Sequence, residues 1–410
     1  MAKAPAKPLR LSPWLHGVNQ RLAPTSLPAS TLREAVNVTL DRVGVPRRRA
    51  GYTRRLAGQV HSLWANADYL LAVLDGDLVR IEPDTWATTL LRAQVGSAPL
   101  SYAPVSNLLY YTSPDVCGRL DLLTGAHYPN FGPPNPEAQP TLGTCAGGLV
   151  AGSYQVAITY VSALGEESGS SLAVTLELTT GSGLRLTNLP QGDAAKIRIY
   201  CSMPNATSQE LYRQAEVNMG ITEVDIIALK RGRQLTTQFL EPLPQGTLLR
   251  YYRGRLYVVD GPVVYHSQPI HYGLFAPDDD YLPPFPADVG TLVAVEDGLY
   301  VGAGGTWFVQ GGGPADFQQR YLSAETPIPG TAINLPAELL DPQQSGLAAY
   351  WQSPVGAVYA FPGGILRYPT QDTLPGTTAT AGVSTLLRDG GVDRVVTVLT
   401  DATPRSAFGS

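Results

Sequence analysis

The chain has 410 residues, a net charge of −5 and only 15% charged residues, whereas Gly (42) and Pro (35) together approach a fifth of it and Tyr (21) leads the aromatics. That mixture suits many short strands joined by tight turns and excludes a framework of long helices. Three cysteines without a CxxC spacing exclude a disulfide scaffold and fit folding in a reducing cytosol, and no apolar run approaches the roughly 20 residues that span a bilayer.

The opening, MAKAPAKPLRLSPW, carries basic residues but no apolar segment before a small-residue cleavage site, so no secretory signal is expected. Charge is unevenly spread: residues 1–55 are net +9 and the remainder net −14, and the only lysines are Lys3, Lys7, Lys196 and Lys230. The positive charge is therefore mostly guanidinium, which favours bidentate bonds to carboxylates or phosphates. Pro24 and Pro28 keep the next stretch extended, and Ser30 or Thr31 would cap a turn of helix carrying Leu32 and Ala35 in the sole helical window, Ser30 to Asn37. Val36, Val38 and Leu40 then alternate with Asn37, Thr39 and Asp41, the period of a half-buried strand, which Val43-Gly44 turns back toward Pro46 to Tyr52. Such a hairpin would close a propeller ring by pairing with the last blade.

From Gln59 to Pro136 two hairpin units follow, DYLLAVLDGDLVRIEP with Asp75-Gly76 as a type I′ turn and SNLLYYTSPDVCGRLDLLTG. The Pro-rich PNFGPPNPEAQP can join neither helix nor central strand and marks a boundary. SYQVAITYVSALGEESGSS, LAVTLEL, LRLTNLP, KIRIYCSM and ELYRQAEV then return every 8 to 14 residues or so, as in an immunoglobulin- or fibronectin-III-like sandwich. After Glu241 the hairpins resume with GRLYVVDGPVVYHS, DGLYVGAGGTWFVQG and VGAVYAFPGGILRYPT, and GVSTLLRDGGVDRVVTVLTD is a last hairpin. Where consecutive, the units are spaced by roughly 40 to 50 residues, the period of four-stranded blades, whereas plain sandwiches lack such a longer repeat. The expected fold is all-β: a β-propeller of five to seven blades with an inserted β-sandwich. Its parts are an arm and closing hairpin over 1–55, propeller over 56–140, the insert over 141–240 and propeller again over 241–410.

Reactive chemistry has little support. His16, His61, His127, His266 and His271 form no HxH or HxxxH set, and neither a GxSxG elbow nor a P-loop is present. No catalytic, cofactor or metal residue is assigned. Asp278-Asp279-Asp280 would present oxygens to a hard cation, but EF-hand spacing is missing and Pro277, Pro283 and Pro284 frame an ordinary exposed loop. GAGGTW shares the G-x-T-W end of the sialidase Asp box, yet Val301 and Ala303 stand where the box needs Ser and Asp.

The pattern formed by Gly17, Asn19, Arg21, Ala23, Pro24, Leu27, Pro28, Glu34, Ala35, Asn37, Val38, Gly44, Arg49, Gly51 and Tyr52, followed by the hairpins of Arg253 to Gly311, resembles the tail nozzle (tail tubular protein B) family of short-tailed double-stranded DNA phages. The resemblance implies a non-enzymatic virion protein assembled in the host cytoplasm as a sixfold ring. That ring would continue the DNA-ejection channel below portal and adaptor proteins and meet plug, needle or fibre proteins, with double-stranded DNA passing without specific binding. On that reading Arg47, Arg48, Arg49, Arg54 and Arg55 either grip phosphates, with strong salt dependence, or bond carboxylates of a neighbouring subunit or portal-side partner. A polymer that must slide is better served by weak or repulsive walls, which favours the second. The competing functional reading is a carbohydrate-binding or glycan-degrading propeller in receptor recognition; a cellular adhesin would need a secretion signal.

Overall fold

A computed structural model describes residues 13–41, 43–206, 210–313, 316–389 and 391–404. Five four-stranded antiparallel sheets in simple up-and-down order lie among the described residues, each built as a propeller blade. Blade one comprises Val60–Ala65, Leu70–Leu74, Asp77–Ile81 and Thr88–Arg92; blade two comprises Ser101–Val105, Leu108–Thr112, Cys117–Asp121 and His127–Tyr128. Leu248–Tyr252, Arg255–Asp260, Val263–His266 and Tyr281–Leu282 form blade three. Blade four runs from Thr291–Ala294 through Gly298–Gly302 and Thr306–Gln310 to Gln318–Ser323, and blade five from Ile333–Pro336 through Leu347–Ser353 and Gly356–Phe361 to Ile365–Arg367. The chain is thus an all-β propeller with an inserted β-sandwich, and its described blades number five, the lower end of the expected range.

Turn chemistry sets the hairpin registers. Asp75 and Gly76 both have positive φ, 51° and 90°, as the expected type I′ turn requires, and Leu74 faces Asp77 across it. Gly44, at φ 74°, likewise returns Val38–Leu40 against Pro46–Arg48.

The chain divides into two compact units, one containing residues 59–284 and the other the described residues before and after that span. Blade three therefore belongs with blades one and two and the insert. In the first unit, Tyr110, Ala103 and Val105 of blade two pack with Leu249, Leu256 and Val258 of blade three. Ser101 seals that seam, its hydroxyl accepting from the Leu249 N–H at 2.9 Å. Val73 and Leu78 of blade one meet Tyr111 of blade two in the same manner. In the second unit, Tyr300 and Phe308 of blade four pack with Trp351 and Val358 of blade five, with the Tyr300 and Trp351 rings 5.4 Å apart. The Tyr300 hydroxyl donates across this seam to the Phe361 carbonyl at 2.5 Å.

The insert places Thr141–Leu149, Ser182–Thr187 and Val224–Ile226 in one sheet, and Glu167–Ser170, Gly152–Val161, Lys196–Cys201 and Tyr212–Asn218 in the other, with Val174–Leu178 also paired to Gly152–Val161. Tyr154, Val156, Ile158 and Tyr160 alternate into the core between the sheets, against Leu184, Leu186, Ile197 and Ile199. Tyr200 points the other way, into a second cluster with Ala157, Leu211 and Leu235. On the outside, Glu216 accepts from Lys196 Nζ and Arg198 Nε, both at 2.8 Å.

Two expectations fail. Ser30 to Asn37 forms no helical turn: the Leu32 N–H bonds the Gly17 carbonyl and the Asn19 N–H bonds the Leu32 carbonyl, around an isolated parallel bridge between Val18 and Leu32. Asn37 has φ 56°, outside the helical region. The described helical turns are instead Pro24–Ser26 and Ala337–Leu340. Nor does the N-terminal hairpin pair with the last one, Ala381–Asp389 with Val392–Thr400; each forms a separate two-stranded sheet.

Gly298 sits mid-blade, where a Cβ would strike the Phe308 ring and the Val309 carbonyl oxygen. Gly298→Ala is expected to cost about 1–3 kcal/mol, the usual range for overpacking, read as a lower thermal midpoint. Hydrogen bonds from Lys196, then Arg198, hold the Glu216 carboxyl at about 2, against 4.5 when unperturbed. Its stabilising contribution is complete above pH 4.5 and is lost as pH falls through about 2. Glu216→Gln should flatten the acid limb of the stability profile over that window, as followed by denaturant titration.

Candidate functional site

The five sequence-predicted arginines lie on one exposed arm. Arg47 and Arg48 occupy the second strand of the N-terminal hairpin, opposite Thr39 and Val38; Arg49, Arg54 and Arg55 follow on a stretch that joins no sheet among the described residues. Arg47 reaches Asp41 at 3.4 Å, but its side chain is 72% exposed, so the pair contributes little to stability. Asp41 is occupied mainly by the backbone: it accepts from the Val45 and Val43 N–H groups, and that bonding, Val45 first, holds its carboxyl below the usual range. Arg48 and Arg49 form no ion pair with a described residue. Arg54 Nε donates to the Leu56 carbonyl at 2.9 Å.

Beside the hairpin stands the ribbon Ala381–Asp389 with Val392–Thr400. Arg394 Nη2 donates to the Leu40 carbonyl at 3.0 Å and Arg394 Nη1 lies 3.7 Å from Asp389. A cavity of about 240 Å³ opens there, lined by Asp41, Arg47, Asp389 and Arg394 among others. A side chain thus makes the contact that strand pairing was expected to make. The reason is local: the hairpin strands are three residues long, and Pro46 has no N–H to offer a ladder.

The remaining candidates resolve into structural roles. Asp280 is buried and accepts from the Ala276 N–H at 2.7 Å and from Gln268, with Arg255 at 3.5 Å, while Asp278 and Asp279 stay exposed. No group of three or more His, Cys, Asp or Glu suited to a metal occurs among the described residues. His266 lies buried at the strand end beside Asp280, and burial lowers its pKa. His127 accepts from or donates to the Tyr111 hydroxyl at 2.5 Å, with burial, then Arg92, favouring its neutral form. His61 meets Ser62 at 2.8 Å, His16 bonds Ser30, and His271 is exposed. Trp307 of the GAGGTW turn donates to the Ala303 carbonyl at 3.0 Å and packs edge-on to Tyr321 at 5.0 Å and Phe285 at 6.0 Å, a packing role.

Sequence reasoning missed the bolt between blade two and the insert. Arg119, in the strand Cys117–Asp121, is 2% exposed, yet its guanidinium donates to both oxygens of Glu166 at 2.6 and 2.5 Å and to the Phe131 carbonyl at 2.8 Å. Glu166 lies in the turn between Gly152–Val161 and Glu167–Ser170 of the insert. Burial works against the charge on Arg119, but the hydrogen bonds and charge of Glu166 outweigh it and raise the pKa. The two linkers are also tied, Asn135 Nδ2 donating to the Leu240 carbonyl at 2.9 Å, and a Cβ on Gly169 would meet both residues. The available signal was an arginine set directly between Gly118 and Leu120 in a blade strand.

No protein-family model matches the chain, and no curated protein does. Among solved structures it is similar to the BBS1N chain of a complex with ARL6DN, at 13% identity and TM-score 0.32 over 83% of this chain and 88% of that one. It is also similar to BamB from Moraxella catarrhalis, at 13% identity and TM-score 0.22 over 77% and 88%. A chain of the S. cerevisiae assembly of dbp5 with nup159 and gle1 matches at 11% identity and TM-score 0.24 over 79% and 68%. The class, a bladed all-β protein with an inserted sandwich, rests on the five meanders themselves.

Glu166→Ala would leave the Arg119 charge buried without its carboxylate. We expect a loss of about 1.5–3 kcal/mol, the range for hydrogen bonds to a charged group, with part of it recovered by adding Arg119→Met. Denaturant unfolding of the single and double variants checks this, and amide exchange in 129–140 should quicken in the single variant.

Proposed function

We propose that the chain is a structural subunit of a short-tailed phage tail: copies join in a ring-shaped nozzle that continues the DNA-ejection channel below the portal and adaptor. Its work on this reading is shape and charge, with no reaction performed. The ring would hold double-stranded DNA until a plug is released and then let it slide past a wall that does not grip.

The observation that carries the reading is the arm. From residue 43 to residue 60 nearly every described side chain is exposed, including Val43, Val45 and, at 99%, Tyr52. A solitary subunit gains nothing by holding β-branched and aromatic side chains and a row of guanidinium groups in water. A neighbouring copy would cover them, and identical subunits joined head to tail close into rings. The N-terminal motif positions that resemble the nozzle family, Arg49, Gly51 and Tyr52 included, fall on this same arm.

The test has two measurements. Mass photometry of the purified chain should give a closed oligomer, and replacing Arg47, Arg48 and Arg49 together by Glu should reduce the ring fraction at least tenfold without changing the circular-dichroism spectrum. Labelled insert should appear as a ring at the far end of the tail in purified particles. A native chain that stays monomeric at all concentrations, or label confined to side appendages, overturns the proposal.

A further inference from the structure

The ribbon formed by Ala381–Asp389 and Val392–Thr400 is the longest hairpin outside the blades and insert. Its strands pair with each other in full register from Ala381↔Thr400 to Asp389↔Val392, and neither joins a third strand among the described residues. Strands of this length span about 30 Å, and a two-stranded ribbon is marginal by itself.

One face of the ribbon is covered. Ser384 is buried, Ser384 and Thr397 share a hydrogen bond at 2.9 Å, and Thr397 meets the Tyr350 hydroxyl of blade five at 3.1 Å. The opposite face carries the pairs Val383↔Val398, Thr385↔Val396 and Leu387↔Arg394. Its tip end is occupied by Arg394 bonding the N-terminal hairpin, but Val383 and Val398 are each 61% exposed and Leu387 is 46% exposed. An apolar sheet face beside an open strand edge is a template for another strand. The two edges differ. The Ala381–Asp389 edge is partly taken, because the Gly382 N–H donates to the Pro329 carbonyl at 2.9 Å. The Val392–Thr400 edge makes no such bond to a described residue.

We infer that segment 50–58 of one copy adds as a strand to the Val392–Thr400 edge of the ribbon of a second copy. This rests on the ring reading above and names the contact that joins neighbours. Segment 50–58 lies outside every sheet among the described residues, and its side chains are exposed except that of Leu56, which is half-buried. With Tyr52 beside Val398 an aromatic meets a β-branched side chain, a pairing that stabilises cross-strand neighbours, and an antiparallel register then sets Arg54 beside Val396 and Leu56 beside Arg394. Charge is compatible: Arg54 and Arg55 ride on the segment, and the receiving edge is bracketed by Asp401 and by Asp393, which also lies 3.4 Å from Arg388 Nε. Donor and acceptor occur once per copy and differ from each other, the condition for a heterologous contact that repeats around a ring.

The experiment uses two full-length chains carrying distinguishable tags, one with Tyr52→Cys and the other with Val398→Cys, mixed and treated with a short bis-maleimide. Singly substituted chains control for Cys117 and Cys145. A cross-linked pair containing both tags is expected, and Val398→Asp should weaken ring assembly at least tenfold at unchanged melting temperature, since the residue is exposed. A link that forms only when both cysteines sit on one chain overturns the inference, because the segment then folds back on its own ribbon. Intact rings without the cross-link overturn it while leaving the ring reading standing. Absence of rings in the native chain overturns both.

Discussion

A sheet of four strands, each about five residues long, has two apolar faces and cannot cover either by itself. The arrangement of the blades follows from that constraint. Within each compact unit the blades hide their faces against one another: Tyr110 and Ala103 against Leu249 and Val258 in one, Tyr300 and Phe308 against Trp351 and Val358 in the other. Aromatic rings suit the task because they fill the wedge between sheets with few rotatable bonds, and a buried hydroxyl such as that of Tyr300 then reaches across to a carbonyl of the next blade. Burial drives the Tyr110 hydroxyl pKa up to about 12. These phenols stay neutral across the physiological range, and that of Tyr300 remains a donor to the Phe361 carbonyl.

The insert obeys a different rule. It has its own core between two sheets, so its attachment to blade two need not supply stability, only direction. A buried arginine with a bidentate carboxylate does this well. Arg119 and Glu166 meet bidentately in one geometry, and any rotation of the insert leaves a charge in an apolar place. The Asn135 bond to Leu240 holds the entering and leaving linkers at the same point. A module held in this way keeps a fixed aim, as a tail component meeting neighbours above or below it would require on the proposed reading.

The arm and ribbon invert the logic of the blades. Exposed Val383, Val398 and Tyr52, and strands with one free edge, are what monomeric proteins avoid, because they invite addition of a further strand. In a subunit of a ring the same features are assets. On the proposed reading the arginines of the arm would act as local charge complements to carboxylates of a neighbour, not as a continuous grip on phosphate.

Much of this was legible in the chain. Asp75-Gly76 between alternating strands fixed a turn type, because few residues tolerate two positive φ angles in succession, and the Gly- and Tyr-rich hairpins repeating at blade spacing fixed the all-β class. Pro129 to Pro140 announced the change of rhythm for the physical reason that proline cannot enter a central strand. The bolt was hidden, since Arg119 and Glu166 stand 47 residues apart and nothing in either neighbourhood names the other. The fate of Ser30 to Asn37 was also decided at a distance: its capping residues favoured a turn of helix, but Gly17 and Asn19 claimed the hydrogen-bonding groups of Leu32 first. Local propensity and periodicity determined which segments are strands. Tertiary structure alone decided which buried charges meet and which strand edges stay open, because those depend on where the folded chain brings distant residues together.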